Sequence, residues 1–168
     1  MKQLQIMRHA KSSWAVGGMP DFERPLNKRG KRVVPEMARF LADRQCTPDF
    51  IISSPAARAA ATANILSQSM GGADSIPIRF EPLFYHAPAR EYLNAIAGFD
   101  QPEVSRLMLV GHNPGLEDLV ESLSGRWEIL PTATVVQFQF DAASWKEICP
   151  AFSCQIQDVW RPKEIGIE

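Results

Sequence analysis

The chain has few cysteines, no long hydrophobic run and almost no net charge, and each absence excludes a class of protein. Its three cysteines, Cys46, Cys149 and Cys154, are odd in number and lack Cys-x-x-Cys or zinc-ligand spacing, so we expect reduced thiols rather than a disulfide framework. No apolar run approaches the roughly 18 residues that span a bilayer. Residues 1–3 lead straight into the first predicted strand and leave no room for a signal peptide. We therefore expect a soluble, cytoplasmic protein with no membrane partner.

Charges of the two signs are balanced along the chain. It carries 18 basic and 19 acidic residues, for a formal net charge of −1, so no global field attracts it to nucleic acid or anionic lipid. The short basic run at 28–32 is more simply explained as the solvated face of a helix. We expect no nucleic-acid partner, and binding of any polyanion would need a local cluster of basic side chains.

Length and patterning predict a single α/β domain covering residues 1–168. The apolar fraction of 45% and the charged fraction of 22% are those of an ordinary globular protein. Apolar strands alternate with amphipathic helices, which favours a three-layer α/β/α architecture with a mostly parallel central sheet. The predicted strands are 4–7, 49–54, 76–80, 106–110, 134–140 and 152–160, with 106–110 central and the last two antiparallel partners.

Four helices are predicted between these strands. The first is capped by Asn27 and runs to about Gln45, with a bend or a late start at Pro35. The second covers 56–68, with Pro55 as a good first residue, and places Arg58 in its first turn. The other two begin at Pro88 and after Pro114. Between the first strand and the first helix, residues 11–27 form an irregular loop that we interpret as a lid, in which Trp14 and Phe22 could be anchors.

Two of the three histidines follow apolar strands in the same way. His9 comes directly after the first strand, preceded by Arg8, and His112 comes directly after the strand 106–110. Ligands of open α/β sheets bind beyond the carboxyl ends of the strands. We therefore expect two imidazoles and the guanidiniums of Arg8 and Arg58 to converge at one edge of the sheet.

Such a cluster has the chemistry to hold a phosphoryl group and to attack it. Arginine forks match phosphate oxygens bidentately, and a neutral imidazole is a nucleophile at phosphorus. The nucleophilic ring should donate its other nitrogen to a backbone carbonyl, which fixes the tautomer. The second histidine, if protonated, could stabilise charge on the phosphoryl oxygens.

A zinc site made by His9, His86 and His112 is the metal alternative. Nothing in the spacing of these residues supports it, and the flanking arginines would repel a cation, so we expect no metal and no other cofactor. His86 lies in a loop with no arginine beside it, and there an ordinary loop histidine is the better interpretation.

Several segments together resemble the histidine phosphatase superfamily, which has the phosphoglycerate mutase-like fold, and within it the SixA-type phosphohistidine phosphatases. The resemblance runs nearly from end to end. Its segments are Met7-Arg8-His9-Ala10 with Lys11-Ser12-Ser13-Trp14, Arg24-Pro25-Leu26-Asn27 with Gly30, Ser53-Ser54-Pro55 with Arg58 and Thr62, Val110-Gly111-His112-Asn113-Pro114-Gly115, Pro131-Thr132 and Arg161-Pro162-Lys163.

The resemblance implies roles for the clustered residues. His9 would be the nucleophile and carry a phosphohistidine intermediate, and Arg8, Arg58 and His112 would complete the phosphate pocket. Ala10 stands where the wider family has glycine, a substitution familiar within the SixA-like group.

The larger family also usually supplies a carboxylate as general acid. Glu81 is the candidate at a comparable place, although a solvated loop glutamate is an equal interpretation and SixA-like members are thought to manage without the acid. Lys11, Ser13, Asn113 and Thr132 lie near predicted strand exits and are candidates for contact with phosphate or substrate.

These observations favour a metal-independent phosphohistidine phosphatase acting on a phosphorylated protein, because a chain this short has few insertions with which to build a deep substrate pocket. A phosphatase of the same superfamily acting on a small phosphomonoester is the nearest alternative. From another class, the chain could be a phosphate-binding or phosphoprotein-binding module without turnover.

Overall fold

A six-stranded sheet forms the centre of the protein. The computed structural model describes residues 1–15, 17–148 and 154–168. Its strands are β1 (Lys2–Arg8), β2 (Phe50–Ser53), β3 (Ile78–Phe80), β4 (Arg106–Gly111), β5 (Val135–Phe140) and β6 (Ile156–Trp160). Its α-helices are α1 (Lys28–Asp43), α2 (Ala57–Met70), α3 (Ala89–Ala97) and α4 (Gly115–Ser124). None of the helices in these residues is long and apolar enough to cross a membrane.

The order of the strands is β3-β2-β4-β1-β5-β6. The first four are parallel to one another, while β5 is antiparallel to both β1 and β6. The predictions of a mostly parallel sheet, of a central β4 and of an antiparallel β5–β6 pair are therefore confirmed. In the pairing of β1 with β4, Arg8 lies opposite Gly111, so the two carboxyl ends meet at one edge.

Two helix layers cover the two faces of the sheet. Alternate side chains of each strand point to opposite faces, and in β1 Leu4 and Ile6 join one buried cluster while Met7 joins the other. The first cluster includes the apolar faces of α3 and α4, and the second includes those of α1 and α2. The predicted α/β/α layering is confirmed.

Helix and strand ends differ in detail from the predictions. Helix α1 starts at Lys28 with the Asn27 side chain accepting from Gly30 N, so the late start at Pro35 was wrong. The helix ends at Asp43 rather than about Gln45, because Gln45 adopts a left-handed φ of 57° that a helix cannot continue. Helix α2 begins at Ala57, after Pro55.

Strands β3 and β6 also differ from their predicted ranges. Strand β3 is shorter than predicted and begins at Ile78, after Pro77, which has no N–H to offer a neighbouring strand. Strand β6 is found at Ile156–Trp160. The first residues of the predicted strand, 152–153, and Cys149 lie outside the described residues. Cys46 and Cys154 are free thiols.

Candidate active site

The carboxyl ends of β1 and β4 bring the two histidines together. His9 N donates to Gly111 O across 3.1 Å, which continues the β1–β4 ladder one residue beyond the strands. The two imidazole rings are consequently 5.1 Å apart between centroids. Both histidines are buried, with 7% of His9 and 4% of His112 exposed. The residues that directly follow two adjacent strands thus form the floor of one site.

Hydrogen bonds fix the tautomer of His9. Its Nδ1 lies 2.8 Å from Ala10 O, which can only accept, so Nδ1 carries the proton. Its Nε2 accepts from Nε of Arg58 at 3.2 Å, which requires a lone pair on Nε2. Burial, helped by the charges of Arg58 and Arg8, lowers the pKa of His9 to about 4, although the bond to Ala10 opposes the shift. The ring is neutral near pH 7, with its lone pair at Nε2.

His112 is held from the other side by a hydroxyl. Its Nε2 lies 2.8 Å from Ser54 Oγ, and its Nδ1 is buried with no hydrogen-bond partner among the described residues. Ser54 Oγ also accepts from Ala56 N. When the Ser54 hydroxyl donates to Nε2 of His112, the proton of the neutral ring lies on Nδ1. Burial first, then the neighbouring His9 and Arg58, lowers the pKa of His112 to about 3.

A buried tyrosine supports the backbone of this histidine. The hydroxyl of Tyr92 accepts from His112 N at 3.2 Å and donates to Phe84 O. Gly111 permits the contact, because a Cβ at this position would collide with the Tyr92 hydroxyl. The glycine before the second histidine is therefore required by close packing against α3.

Arg8 is positioned by a chain of contacts from α4. Its terminal Nη1 donates to Leu130 O at 2.9 Å. The same carbonyl accepts from Asn113 Nδ2, and Glu117 Oε1 accepts from both Asn113 Nδ2 and Leu130 N, at 2.8 and 2.9 Å. The Nε of Arg8 is buried and has no partner in the described part of the chain. Arg8 is thus held through Nη1, while its Nε–H remains without a partner among the described residues.

Arg58 projects from the first turn of α2 and is 5% exposed. Besides His9, it donates through both terminal nitrogens to Asp21, at 2.7 Å to the backbone oxygen and 3.0 Å to Oδ2. One turn further along α2, Thr62 Oγ1 donates to Arg58 O and accepts from Ala10 N. These bonds join α2 to the segment that carries His9.

Asp21 lies in a 3₁₀ turn of the loop at 11–27, which folds over the site. Its Oδ1 accepts from Arg24 at 2.8 Å, and its Oδ2 accepts from Tyr85 Oη at 2.9 Å in addition to Arg58. The His86 ring is 3.7 Å from Oδ2. Although partial burial opposes the shift, the hydrogen bonds from Tyr85, Arg24 and Arg58 lower the pKa of Asp21 to about 2. The carboxylate is ionised at any physiological pH.

The two predicted anchors of the loop make different contacts. Trp14 is 76% exposed and stacks on the guanidinium of Arg24 at 3.2 Å, so it is not a core anchor. Phe22 packs edge-on against Tyr85. The loop is held instead by the buried Leu26, by a bridge between Ser12 and Leu26, and by hydrogen bonds from Arg24 to Ser12 Oγ and Ser13 O.

These residues enclose a cavity of about 220 Å³ that is rich in hydrogen-bond donors. It is lined by Arg8, His9, Lys11, Ser12, Trp14, Arg24, Arg58, His86, His112, Asn113 and Thr132. Two of its lining residues, Arg8 and His112, carry buried nitrogens without a partner among the described residues. A buried unpaired donor costs about 1–3 kcal/mol, so the Nε–H of Arg8 is suited to an anionic ligand, as is Nδ1 of His112 when it carries the proton. A tetrahedral oxyanion fits such a cavity in size and charge.

The structure brings Arg8, His9, Arg58 and His112 into one cavity, and Lys11, Asn113 and Thr132 line it as well. Two other candidates lie elsewhere. Ser13 is not among the lining residues, and its hydroxyl accepts from Ala15 N. Glu81 lines a separate depression with Arg79, accepts from Leu83 N at the start of a 3₁₀ turn, and is not among the residues that line the histidines' cavity.

The zinc alternative finds no support in the geometry. Within the described ranges, no three histidine, cysteine or acidic side chains are grouped so that they could hold a metal ion. His86 does reach the rim of the cavity, contrary to the expectation of an ordinary loop histidine, with 65% of its side chain exposed.

Sequence reasoning missed the roles of Asp21 and Tyr85. Both lie in irregular loops without periodicity, and they meet only because the loops after β1 and β3 leave the same edge of the sheet. The i, i+3 spacing of Asp21 and Arg24, which form an ion pair at 2.8 Å, was the available signal.

The chain is similar to proteins of one family. Residues 4–85 match the family model of the histidine phosphatase superfamily (branch 1). An uncharacterized chloroplastic protein of Arabidopsis thaliana, At3g52155, is 32% identical over 152 residues, which cover 87% of this chain and 70% of that protein.

Solved structures agree with this match. A proposed phosphohistidine phosphatase SixA from Agrobacterium tumefaciens superposes with a TM-score of 0.80 and 31% identity, covering 96% of this chain and 98% of that one. The protein histidine phosphatase SixA in complex with tungstate superposes with a TM-score of 0.81 and 17% identity, covering 97% and 99%. At this lower identity the second likeness concerns the fold.

Proposed function

Because the chain belongs to the histidine phosphatase superfamily, we propose that it removes phosphate from phosphohistidine on a protein through a phosphohistidine intermediate on His9. One observation carries the proposal. The Nε2 lone pair of His9 lies beside a cavity that Arg8, Arg58 and His112 also line, and Arg8 Nε and His112 Nδ1 are buried nitrogens without partners among the described residues. This is the arrangement that an in-line attack on a bound phosphoryl group needs.

The first step transfers the phosphoryl group. The Nε2 lone pair of His9 forms a bond to phosphorus while the bond from phosphorus to the substrate nitrogen breaks, and that electron pair leaves with the substrate imidazole. Arg8, Arg58 and His112 Nδ1 donate to the three phosphoryl oxygens, where charge builds up. The proton on His9 Nδ1 stays on the ring, hydrogen-bonded to Ala10 O, and the phosphorylated ring is held in place.

The second step hydrolyses the intermediate. Water attacks phosphorus, the bond from phosphorus to His9 Nε2 breaks, and inorganic phosphate leaves with His9 restored to its neutral form. The same donors that bound the substrate phosphoryl group stabilise this transition state. No step needs a metal ion, and we propose that turnover is unaffected by chelators.

The chemistry of the leaving group favours phosphohistidine over a phosphomonoester as the substrate. An alkoxide needs a proton from an acid, which contributes typically 10²–10⁴-fold. Glu81 lies outside the cavity, and the carboxylate of Asp21 has a pKa of about 2, so it holds no proton to give near neutral pH. An imidazole whose other nitrogen is protonated leaves as a neutral molecule and needs no such acid.

Phosphate release from a phosphohistidine-containing protein by the wild type and by His9→Ala tests the proposal. We expect turnover by the wild type, in the presence of chelator, and none above background by the variant. Equal rates for the wild type and the variant would contradict the proposal. Binding of phosphate by the wild type without any release would instead identify the chain as a binding module. A higher rate on phosphomonoesters than on phosphohistidine would favour the small-molecule alternative.

The type of partner and the cellular location are also proposals. We propose a phosphorylated protein as the partner, because the mouth of the cavity is bounded by exposed side chains such as Trp14 and His86 rather than by an inserted domain. A cytoplasmic location stays a prediction from the sequence.

A further inference from the structure

A carboxylate lies at the mouth of a cavity that is otherwise built for an anion. Asp21 is not among the residues that line the cavity, yet it contacts Arg24 and Arg58, which are. Its side chain is 38% exposed, whereas those of Arg24 and Arg58 are 10% and 6% exposed. The negative charge therefore lies on the solvent side of the two guanidiniums, where the leaving group of a bound substrate would extend.

Asp21 also removes donors that a second anionic group would need. Both terminal nitrogens of Arg58 donate to Asp21, and so does Nη1 of Arg24. The other nitrogens of Arg24 donate to Ser12 and Ser13. For a substrate that carries a carboxylate or a second phosphate beside the phosphoryl group, these hydrogen-bond donors are already in use. Such a substrate would also lie close to a fixed negative charge.

The same carboxylate has room for a cationic group. Oδ2 accepts from Arg58 and Tyr85, while Oδ1 accepts from Arg24 alone among the described residues. A carboxylate oxygen can accept more than one hydrogen bond, so Oδ1 keeps an acceptor site in a side chain that is 38% exposed. An N–H of a protonated ring could bind there.

Aromatic side chains flank this position. The Tyr85 and His86 rings lie 4.0 Å apart between centroids, and they are 5.8 and 6.4 Å from the ring of His112. The exposed Trp14 indole lines the cavity as well. A flat cationic ring is attracted both by aromatic faces and by a carboxylate.

We propose that Asp21 selects the leaving group: its carboxylate receives the N–H of a cationic leaving group such as a protonated imidazole, and it rejects phosphoesters that carry a further negative charge. This inference rests on the proposed function, whose substrate class it defines. In the transfer step the carboxylate accepts a hydrogen bond from the ring nitrogen distant from phosphorus. The proton stays on that nitrogen, so the ring departs neutral when it takes the electron pair of the bond to phosphorus.

The test compares kcat/KM for a phosphohistidine peptide, for glycerol 1-phosphate and for 3-phosphoglycerate, which differs from glycerol 1-phosphate by a carboxylate in place of an uncharged hydroxymethyl group. For Asp21→Asn we expect the preference for the peptide over 3-phosphoglycerate to fall at least tenfold, with glycerol 1-phosphate changed least. Asp21→Glu, which keeps the charge, should retain most of the preference. An equal change of all three substrates in Asp21→Asn would overturn the inference.

Glu23→Gln is the matched control. Glu23 is an exposed carboxylate in the same 3₁₀ turn, two residues from Asp21, and it is not among the lining residues. Its removal takes away the same charge from the loop, and we expect the substrate preference to change less than twofold. A change as large as that of Asp21→Asn would mean that general loop charge is responsible, which would overturn the specific role of Asp21.

A binding measurement keeps the test independent of turnover. In the His9→Ala background, Asp21→Asn should raise the affinity for 3-phosphoglycerate relative to glycerol 1-phosphate at least tenfold, measured by calorimetry. Unchanged relative affinity would contradict the inference. This result can be told apart from a failure of the proposed function. The wild type can release phosphate in a His9-dependent way even if Asp21 has no effect on the choice of leaving group.

Discussion

Arg58 Nε donates to His9 Nε2 across 3.2 Å, so the guanidinium that borders the cavity also holds the lone pair of the ring in the reactive position. With His9 Nδ1 bonded to Ala10 O, both nitrogens of the ring are assigned. The arginine does two things at once: its charge disfavours protonation of the ring, and its N–H lies where a phosphoryl oxygen would arrive. A bound phosphoryl group would take over this N–H and release the lone pair for attack.

The buried histidines predict a pH-dependent stability. Their pKa values, about 4 for His9 and about 3 for His112, lie below the 6.5 of an unperturbed histidine. The unfolded chain therefore takes up protons that the folded chain does not, and the free energy of unfolding falls as the pH drops below 6.5. Between pH 7.5 and 5 we expect a loss of roughly 2 kcal/mol for each histidine, measured by urea unfolding.

Variants distinguish this loss from general acid sensitivity. His9→Asn and His112→Asn should each be less sensitive to this pH change than the wild type. His86→Asn is the control, because that side chain is exposed at the rim, and it should keep the wild-type dependence. Identical pH profiles for all four proteins would contradict the explanation.

Ser54 is expected to set the tautomer of His112. Replacement by alanine removes the hydroxyl at 2.8 Å from Nε2, and the proton then no longer favours Nδ1, the nitrogen that would donate to phosphate. We expect Ser54→Ala to lower kcat about tenfold or more, equivalent to about 1.4 kcal/mol of transition-state stabilisation. Nitrogen-15 spectra of the imidazole at pH 7 should show the proton at Nδ1 in the wild type.

Ser53→Ala is the matched control for this prediction. Ser53 is equally buried, but its hydroxyl donates to Ser54 O rather than to the histidine. Its removal should leave the His112 tautomer unchanged. A wild-type ring with its proton at Nε2, or a Ser54→Ala enzyme with full kcat, would refute the assignment.

Glu117 is expected to hold Arg8 in place through the loop before β5. Glu117→Ala removes the acceptor of Asn113 Nδ2 and Leu130 N, and Leu130 O in turn accepts from Arg8. We expect a several-fold rise in KM and a loss of about 1–3 kcal/mol of stability, the cost of leaving such donors unpaired. Steady-state kinetics and urea unfolding measure the two effects.

The neighbouring Asp118 offers a control of the same charge. It lies in the same first turn of α4 but is exposed. Asp118→Ala should leave KM and stability nearly unchanged. If both variants behaved alike, the charge at the start of α4 rather than the Glu117 contacts would be responsible.

The sequence predicted the layers, the central strand and the meeting of the two histidines, because apolar periodicity and the chemistry of strand ends are local signals. Sequence reasoning failed where backbone geometry or distant partners decide. The left-handed Gln45 ends α1 early, and Ser54 acquires its role only when the ends of β2 and β4 align through the bond from Ser54 N to Val110 O. Glu81, placed by analogy, faces another depression, while Asp21 occupies the mouth of the cavity.

The central claim is that His9 Nε2 becomes covalently bonded to phosphorus. The most direct measurement is a rapid quench of the enzyme with a radiolabelled phosphohistidine protein, followed by peptide mapping. The account predicts an acid-labile, alkali-stable phosphoryl group on the peptide that contains His9 in the wild type, and none in His9→Ala. Normal turnover without a labelled His9, or the same label in His9→Ala, would contradict it.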